Sequence, residues 1–174
     1  MGVTGVTWDT SIMALKFLDA DNTGNRSDAI RAIRYATMMC TDYDVNVHVI
    51  NGSWGATGGY DAELYQAIQE SGDAGILFVA AAGNGNALGY GVDNDAQAFY
   101  PAGYDLSNVI SVAASDSYDD LAQFSNYGAT SVDIAAPGVS ILSTEPEATY
   151  HMRSGTSMAA PFVSGTAALI WSRV

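Results

Sequence analysis

The chain has 174 residues, of which 48% are hydrophobic and 14% charged, and its formal net charge is −13. This length predicts a single domain, and the composition predicts a compact globular fold and excludes a disordered chain. The acidic surface disfavours nucleic acid and anionic membranes as partners, because both would repel it. No apolar run reaches the roughly 18 residues of a membrane span, and no signal peptide is expected ahead of the first predicted strand. Cys40 is the only cysteine, so no internal disulfide is expected.

Strand-like apolar runs alternate with helix-like patterns along the chain. Continuous apolar strands separated by helices predict an α/β fold, in which helices cover both faces of a mostly parallel sheet. Functional residues in such sheets gather at the carboxyl ends of the strands. The predicted strands are 11–18, 45–50, 76–82, 109–114, 132–135 and 141–142, and the predicted helices are one capped by Ser27 with Ile30, Ile33 and Met38 inward, one over 61–71 and one over 162–171.

Ser157 stands in the sequence Gly-Thr-Ser-Met-Ala-Ala-Pro at 155–161, where the last helix is predicted to begin. Its backbone N–H would be among the unpaired donors of the first helical turn, where the helix dipole favours negative charge. A hydroxyl nucleophile benefits from this position, because its attack on a carbonyl creates an oxyanion. The alternative is that Ser157 is only an N-cap residue. The sequence resembles the nucleophile motif of the subtilisin-like serine proteases (subtilases), and the resemblance covers the chain from about Val6 onward.

Two predicted strand ends resemble further subtilase motifs. In Ala-Ala-Gly-Asn at 81–84, the resemblance implies that Asn84 donates a side-chain hydrogen bond to the oxyanion, whereas a plain turn residue is the alternative. The segment 49–55 resembles the family segment whose backbone pairs with an extended substrate, which implies a peptide-binding edge. The residues of this edge would be Ser53, Trp54 and Gly55, and the pocket for the residue before the cut would be walled by Ala80, Ala81, Ala82 and Gly83. Phe99 would either shorten that pocket or pack in the core.

The chain lacks the two residues that would activate Ser157. A serine needs a base and an orienting carboxylate, which subtilases carry at an Asp-x-Gly strand end and a His-Gly-Thr-His helix start. None of the predicted strands here ends in Asp-x-Gly, and His-Gly-Thr-His does not occur. We interpret His48 as a core histidine and His151 as a loop residue. Because 5–18 resembles the family segment after the catalytic histidine helix, 1–174 is expected to be one incomplete subtilase-like catalytic domain, without the N-terminal strands and that helix.

A gap in the sheet follows from this interpretation. In the family, the strand with the catalytic Asp lies between the strands that match 11–18 and 45–50. Unpaired backbone groups at a buried strand edge are costly. We therefore expect either that these two strands pair directly or that a second chain supplies the missing strand.

The resemblance implies a serine endopeptidase that cleaves peptide bonds through an acyl-enzyme on Ser157, with this chain inactive alone. The alternative is a non-catalytic peptide-binding pseudoenzyme or half-domain completed by another chain. No cofactor is required and no metal ligand is assigned, although subtilases often bind calcium as a structural ion. The loop 19–24 resembles the opening of a calcium loop, but Ile30 stands where the bidentate glutamate belongs. The expected partner is a protein or peptide substrate, and secretion is expected from the family alone.

Overall fold

The computed structural model describes residues 2–21 and 23–173. Its helices are α1 (Arg26–Tyr43), α2 (Ala62–Asp73) and α3 (Thr156–Trp171). Its strands are β1 (Val49–Gly52), β2 (Ala56–Thr57), β3 (Leu77–Ala81), β4 (Phe99–Tyr100), β5 (Val109–Ser115), β6 (Ile134–Pro137), β7 (Ile141–Glu145) and β8 (Thr149–Arg153), and a short 3-10 turn (Pro146–Ala148) joins the last two.

A four-stranded parallel sheet in the order β1-β3-β5-β6 forms the centre of the fold. Successive side chains of β3 point to opposite faces, so Phe78 packs in a cluster with Ile33 of α1 and Ile68 of α2. Val79 joins the other cluster, which includes Ala159 of α3. The predicted α/β architecture, with a mostly parallel sheet between helices, is therefore confirmed.

Two antiparallel pairs lie outside this sheet and were not predicted. One is the short ribbon of β2 and β4, and the other is the hairpin of β7 and β8. The ribbon strands have two residues each, too few to show a periodic pattern. All five residues of β8 are exposed, so the hairpin shows no buried face that alternation could reveal.

The predicted strand over 11–18 is wrong. This segment pairs with no strand in the described part of the chain, and Phe17 packs edge-on against Trp54 with ring centroids 5.3 Å apart. A cavity of about 70 Å³ is lined by Leu15 and Phe17 on this segment and by Ile50 on β1. A strand forms only where a neighbour accepts its hydrogen bonds, and the expected direct pairing with β1 does not occur. Supply of the missing strand by a second chain stays a prediction.

The start of helix α1 differs from the predicted one. Helix α1 begins one residue before Ser27, so Asn25 occupies the N-cap position and the predicted cap is wrong. Several neighbouring residues there can cap a helix, so the pattern alone does not select one. Ile30 and Ile33 are buried as predicted.

Helix α3 is longer than predicted, because the helical conformation starts at Thr156 rather than at 162. It is apolar around most of its circumference, which is typical of a fully buried helix. Its last turn is nevertheless exposed at Leu169, Ile170 and Trp171. None of the helices in the described ranges has the length and apolar character needed to cross a membrane.

Candidate active site

Three elements converge on Ser157. Strands β1 and β3 are parallel neighbours, so the segments that follow their carboxyl ends lie at the same edge of the sheet. The first segment carries Ser53 and the second carries Asn84, and the first turn of α3 contacts both. The structure thus brings together residues that are 104 and 72 positions apart in the sequence.

Ser157 is the second residue of α3, and Gly155 is the N-cap. The N–H groups of Met158 and Ala159 donate to the Gly155 carbonyl. The N–H of Ser157 has no acceptor among residues 2–21 and 23–173. Because the positive end of the helix dipole lies at this turn, the N–H of Ser157 is suited to bind a developing negative charge.

The Asn84 side chain is held in one orientation by the residue before Ser157. Its Oδ1 accepts hydrogen bonds from the backbone N–H of Thr156 at 2.8 Å and from the Thr156 hydroxyl at 3.0 Å. A backbone N–H bonds only to the oxygen of an amide, so this contact fixes which end is which. The Nδ2 group is left as a donor with no acceptor among the described side chains and backbone. Two donors are therefore open: the N–H of Ser157, which follows Thr156 in the chain, and Nδ2 of the amide that Thr156 holds.

Thr156 is a residue that sequence reasoning missed. Its side chain is fully buried, and its hydroxyl accepts from the backbone N–H of Gly83 at 3.1 Å while donating to Asn84. It links the end of β3 to the start of α3. Its motif position next to Ser157 was a usable signal, but its two partners lie 72 and 73 residues away and cannot be read from the sequence.

Ser53 and Ser157 exchange hydrogen bonds. The Ser157 hydroxyl donates to the Ser53 carbonyl at 3.0 Å, and the Ser53 hydroxyl donates to the Ser157 carbonyl at 2.9 Å. Pro161 stands four residues after Ser157 and has no N–H, so α3 itself cannot satisfy the Ser157 carbonyl. A backbone carbonyl is not a base, so this contact holds the Ser157 hydroxyl without activating it.

Neither histidine is positioned to act as the base. The His48 ring packs against Trp171, with ring centroids 5.4 Å apart, at the opposite end of α3 from Ser157. At about 1.5 Å per residue, Trp171 lies roughly 21 Å along the helix from Ser157. His151 is exposed in β8 opposite Ser143, and no hydrogen bond joins it to Ser157 within the described coordinates.

The predicted peptide-binding edge has open backbone groups. Within the described ranges, the N–H and C=O groups of Trp54 and Gly55 make no backbone hydrogen bonds. The Trp54 ring faces the core, where it meets Phe78 with centroids 6.5 Å apart. The backbone of this edge, rather than its side chains, is thus the part available to a ligand.

The predicted pocket wall is mostly part of the core. Ala80, Ala81 and Ala82 are at most 2% exposed, and the first two belong to the two core clusters. Phe99 is half-buried against the first cluster, and its ring also reaches both predicted substrate segments. A Cβ placed on Gly55 would lie 2.3 Å from the Phe99 ring, and one on Gly83 would lie 3.1 Å from it.

The loop 19–24 closes on itself. The Asp19 carboxylate accepts hydrogen bonds from the backbone N–H groups of Asp21 and Thr23, which is the geometry of a side-chain-stabilised turn. Asn22, inside this loop, lies outside the described residues.

Comparisons with known proteins place these features in a family. A family model described as the subtilase family matches residues 1–174. The chain is 42% identical to subtilisin DY of Bacillus licheniformis, over 99% of this chain and 58% of that protein. It is 40% identical to thermitase of Thermoactinomyces vulgaris, over 99% of this chain and 55% of that protein. A solved structure of a cold adapted subtilisin-like serine proteinase matches with a TM-score of 0.76 and 31% identity, over 91% of this chain and 52% of that one. The chain therefore spans between 52% and 58% of the length of these relatives.

Proposed function

Because this chain belongs to the subtilase family, we propose that it supplies the nucleophile and the oxyanion donors of a serine endopeptidase. The observation that carries the proposal is that two donors are open at the first turn of α3: the N–H of Ser157 itself, and Nδ2 of Asn84, whose amide oxygen is bound by Thr156. An oxyanion formed by attack of the Ser157 hydroxyl on a peptide carbonyl would meet both donors.

The reaction follows from these positions. The Ser157 oxygen attacks the scissile carbonyl while a base takes its proton, and the carbonyl oxygen becomes an oxyanion held by the two donors. Collapse of this intermediate expels the amine, which takes the proton back from the base, and leaves an acyl-ester on Ser157 that water hydrolyses. Loss of one side-chain donor costs about 10²–10³ in turnover, a range measured on subtilisin itself.

The chain alone is proposed to be inactive, because no base among residues 2–21 and 23–173 is hydrogen-bonded to Ser157. Its hydroxyl donates to the Ser53 carbonyl, and both histidines of the sequence are placed elsewhere. In subtilisin itself, loss of the base lowers turnover by roughly 10⁶. We propose that the base and its orienting carboxylate come from polypeptide outside these 174 residues.

The outer edge of β1 and the last turn of α3 would receive that polypeptide. Strand β1 is an outer strand of the central sheet, so one row of its backbone groups is free to pair. The exposed side chains of Leu169, Ile170 and Trp171 adjoin it, since Trp171 packs on His48 directly before β1. An added strand with an apolar face would satisfy both surfaces.

The proposed substrate is an extended peptide bound along the backbone of Trp54 and Gly55. Because the Phe99 ring lies against both Gly55 and Gly83, we propose that the residue before the cut bond has a small side chain. Secretion and a structural calcium ion are further proposals carried over from the family. Protein found in the culture medium would support secretion. A lower melting temperature after chelation of calcium would support the structural ion.

A fluorophosphonate probe tests the proposal, because it reacts with an activated serine hydroxyl. We expect little labelling of the chain alone and rapid labelling after addition of imidazole, or of a polypeptide carrying the family's Asp and His motifs. Ser157→Ala is the control and should not be labelled in any arm. A probe with an alanine-like side chain should react faster than one with a phenylalanine-like side chain.

Two results would contradict parts of the proposal. Rapid labelling of the chain alone at Ser157 would mean that a base lies within it, and the proposed inactivity would be wrong. No labelling with any supplied base, in a protein shown to be folded, would contradict the nucleophile and favour the peptide-binding pseudoenzyme.

A further inference from the structure

Two buried asparagines form a polar pair behind the segment that carries Asn84. Asn94 is 3% exposed and Asn126 is 1% exposed. Asn126 Nδ2 donates to Asn94 Oδ1 at 2.9 Å, across 32 residues of sequence. Buried amide side chains are costly unless they are hydrogen-bonded, so the remaining contacts of this pair indicate what it holds.

The pair binds the backbone on both sides of Asn84. Asn94 Nδ2 donates to the carbonyl of Ala82 at 2.8 Å. Asn126 Oδ1 accepts from the N–H of Gly85 at 2.8 Å, and the backbone N–H of Asn126 donates to the Gly83 carbonyl at 2.9 Å. The backbone is therefore tied to one buried pair at three residues that flank Asn84, namely Ala82, Gly83 and Gly85.

The far side of the same loop is fixed too, since Asn126 Oδ1 also accepts from the N–H of Val92 at 3.0 Å. Gly83 and Gly85 both have positive φ angles, +109° and +79°, which side chains rarely adopt. A Cβ on Gly83 would lie 2.4 Å from Asn126 Nδ2, so the backbone and the amide are in close contact. The loop cannot shift without moving Asn126.

We propose that the Asn94–Asn126 pair positions Asn84 as an oxyanion donor. The Asn84 side chain is itself exposed and is held at its tip by Thr156. Its backbone, in contrast, is anchored from behind by the pair, so the two anchors together fix where Nδ2 points. Asn94 and Asn126 are positioning residues, because they act through Asn84 and touch no reacting atom. This inference rests on the proposed function.

The first test measures amide hydrogen exchange by NMR on the chain itself. The reporter is the backbone N–H of Thr156, which donates to Asn84 Oδ1 and is hydrogen-bonded to neither member of the pair. We expect Asn126→Ala and Asn94→Ala each to speed exchange at Thr156 by about tenfold relative to the amides of β5, because local opening near Asn84 becomes easier.

Asn108→Ala is the matched control. Asn108 is a half-buried asparagine that, like Asn94, donates to backbone carbonyls, but these belong to Ile68 and Ile76, away from Asn84. It should destabilise the fold without changing the ratio of Thr156 exchange to β5 exchange. An unchanged ratio in Asn126→Ala, or the same change in Asn108→Ala, would overturn the positioning role.

The second test measures the rate constant for labelling of Ser157 at saturating probe and fixed imidazole. Asn126→Ala should slow it by about tenfold, because small displacements of a catalytic group weaken its action strongly. In an Asn84→Ala background the same substitution should have almost no effect, since the donor that it positions is already gone. Equal slowing in both backgrounds would overturn the proposal. If the parent chain is never labelled, the proposed function fails, while the exchange experiment still decides the positioning role.

Discussion

Asp95, next to Asn94, fastens a second loop to the same region of the molecule. Its carboxylate accepts hydrogen bonds from the backbone N–H groups of Ala129, Thr130 and Ser131 and from the Thr130 hydroxyl. The Ser131 hydroxyl beside the carboxylate, together with the Thr130 and Ala129 donors, lowers the pKa of Asp95 from 3.8 to about 2. The charged form of Asp95 therefore stabilises the folded state.

The pH dependence of Asp95→Asn follows from that direction. A carboxyl whose pKa is lower in the folded state stabilises fully above its unfolded pKa, and this contribution is lost as the pH falls through the folded pKa. We expect the variant to melt at a lower temperature than the parent at about pH 7. The difference should close between about pH 4 and about pH 2.

Melting curves followed by circular dichroism across this range check the expectation. Asp105→Asn is the control, because Asp105 is exposed and makes no side-chain hydrogen bond in the described ranges. A melting difference for Asp95→Asn that stays constant at every pH would contradict the ionic role.

The motifs predict Ser157 and Asn84 as site residues, but they do not indicate which residues hold these two in place. The roles of Thr156 and Ser53 depend on contacts across 72 and 104 residues. Asn126 lies outside the motifs at 49–55, 81–84 and 155–161. A buried asparagine pair leaves no local sequence pattern, because its two members lie far apart in the sequence and meet only in the folded chain.

At the scale of elements, α3 contains an internal proline that the site uses. Pro161 removes the hydrogen bond that would otherwise close on the Ser157 carbonyl, and the Ser53 hydroxyl takes its place. The helix is thereby bonded to the segment after β1 at Ser157, the proposed nucleophile.

A double-mutant cycle tests whether the Ser53 hydroxyl replaces the helical hydrogen bond that Pro161 removes. Ser53→Ala should lower the free energy of unfolding by about 1–2 kcal/mol, because it leaves the part-buried Ser157 carbonyl unpaired. In a Pro161→Ala background the cost should be clearly smaller, since the new backbone N–H can bond that carbonyl within the helix. Urea titrations of the four proteins measure both costs, and equal costs would show that the proline is not involved. Ser172→Ala, which removes a hydroxyl at the other end of α3, should give additive effects.

Elements buried on both faces were the ones the sequence predicted well. Strands β3 and β5 lie within one residue of their predicted bounds, because their apolar runs are continuous. The segment 11–18 has a similarly apolar pattern, but no strand in the described ranges lies beside it to accept its hydrogen bonds, and it forms no strand. Pattern indicates which segments can pair, whereas pairing itself depends on the partner.

Charge is the property that acts on the whole molecule. The sequence has 19 acidic residues against six lysines and arginines. Arg26, Arg31, Arg34 and Arg153 are already engaged in ion pairs. The excess of carboxylates repels itself in the compact state, and salt screens this repulsion.

We therefore expect the melting temperature to rise by several degrees when sodium chloride increases from about 10 to about 200 mM near neutral pH. The effect should vanish near the isoelectric point of about 4.1, where the net charge disappears. Calorimetry at both pH values measures it. An equal rise at both would point to general salt effects on hydration rather than to charge repulsion.

The reciprocal bonds between Ser53 and Ser157 also bear on when activity would appear during assembly of the protein. They hold Ser157 in its folded geometry while its hydroxyl is bound to a carbonyl and is not activated by a base. Under the proposed mechanism, peptidase activity would then appear only when the polypeptide that supplies the base binds, after the rest of the fold is in place. A protease assembled in this order would avoid cleaving itself during folding, because it would become active only when its unfolded segments, which are the easiest to cleave, have already folded.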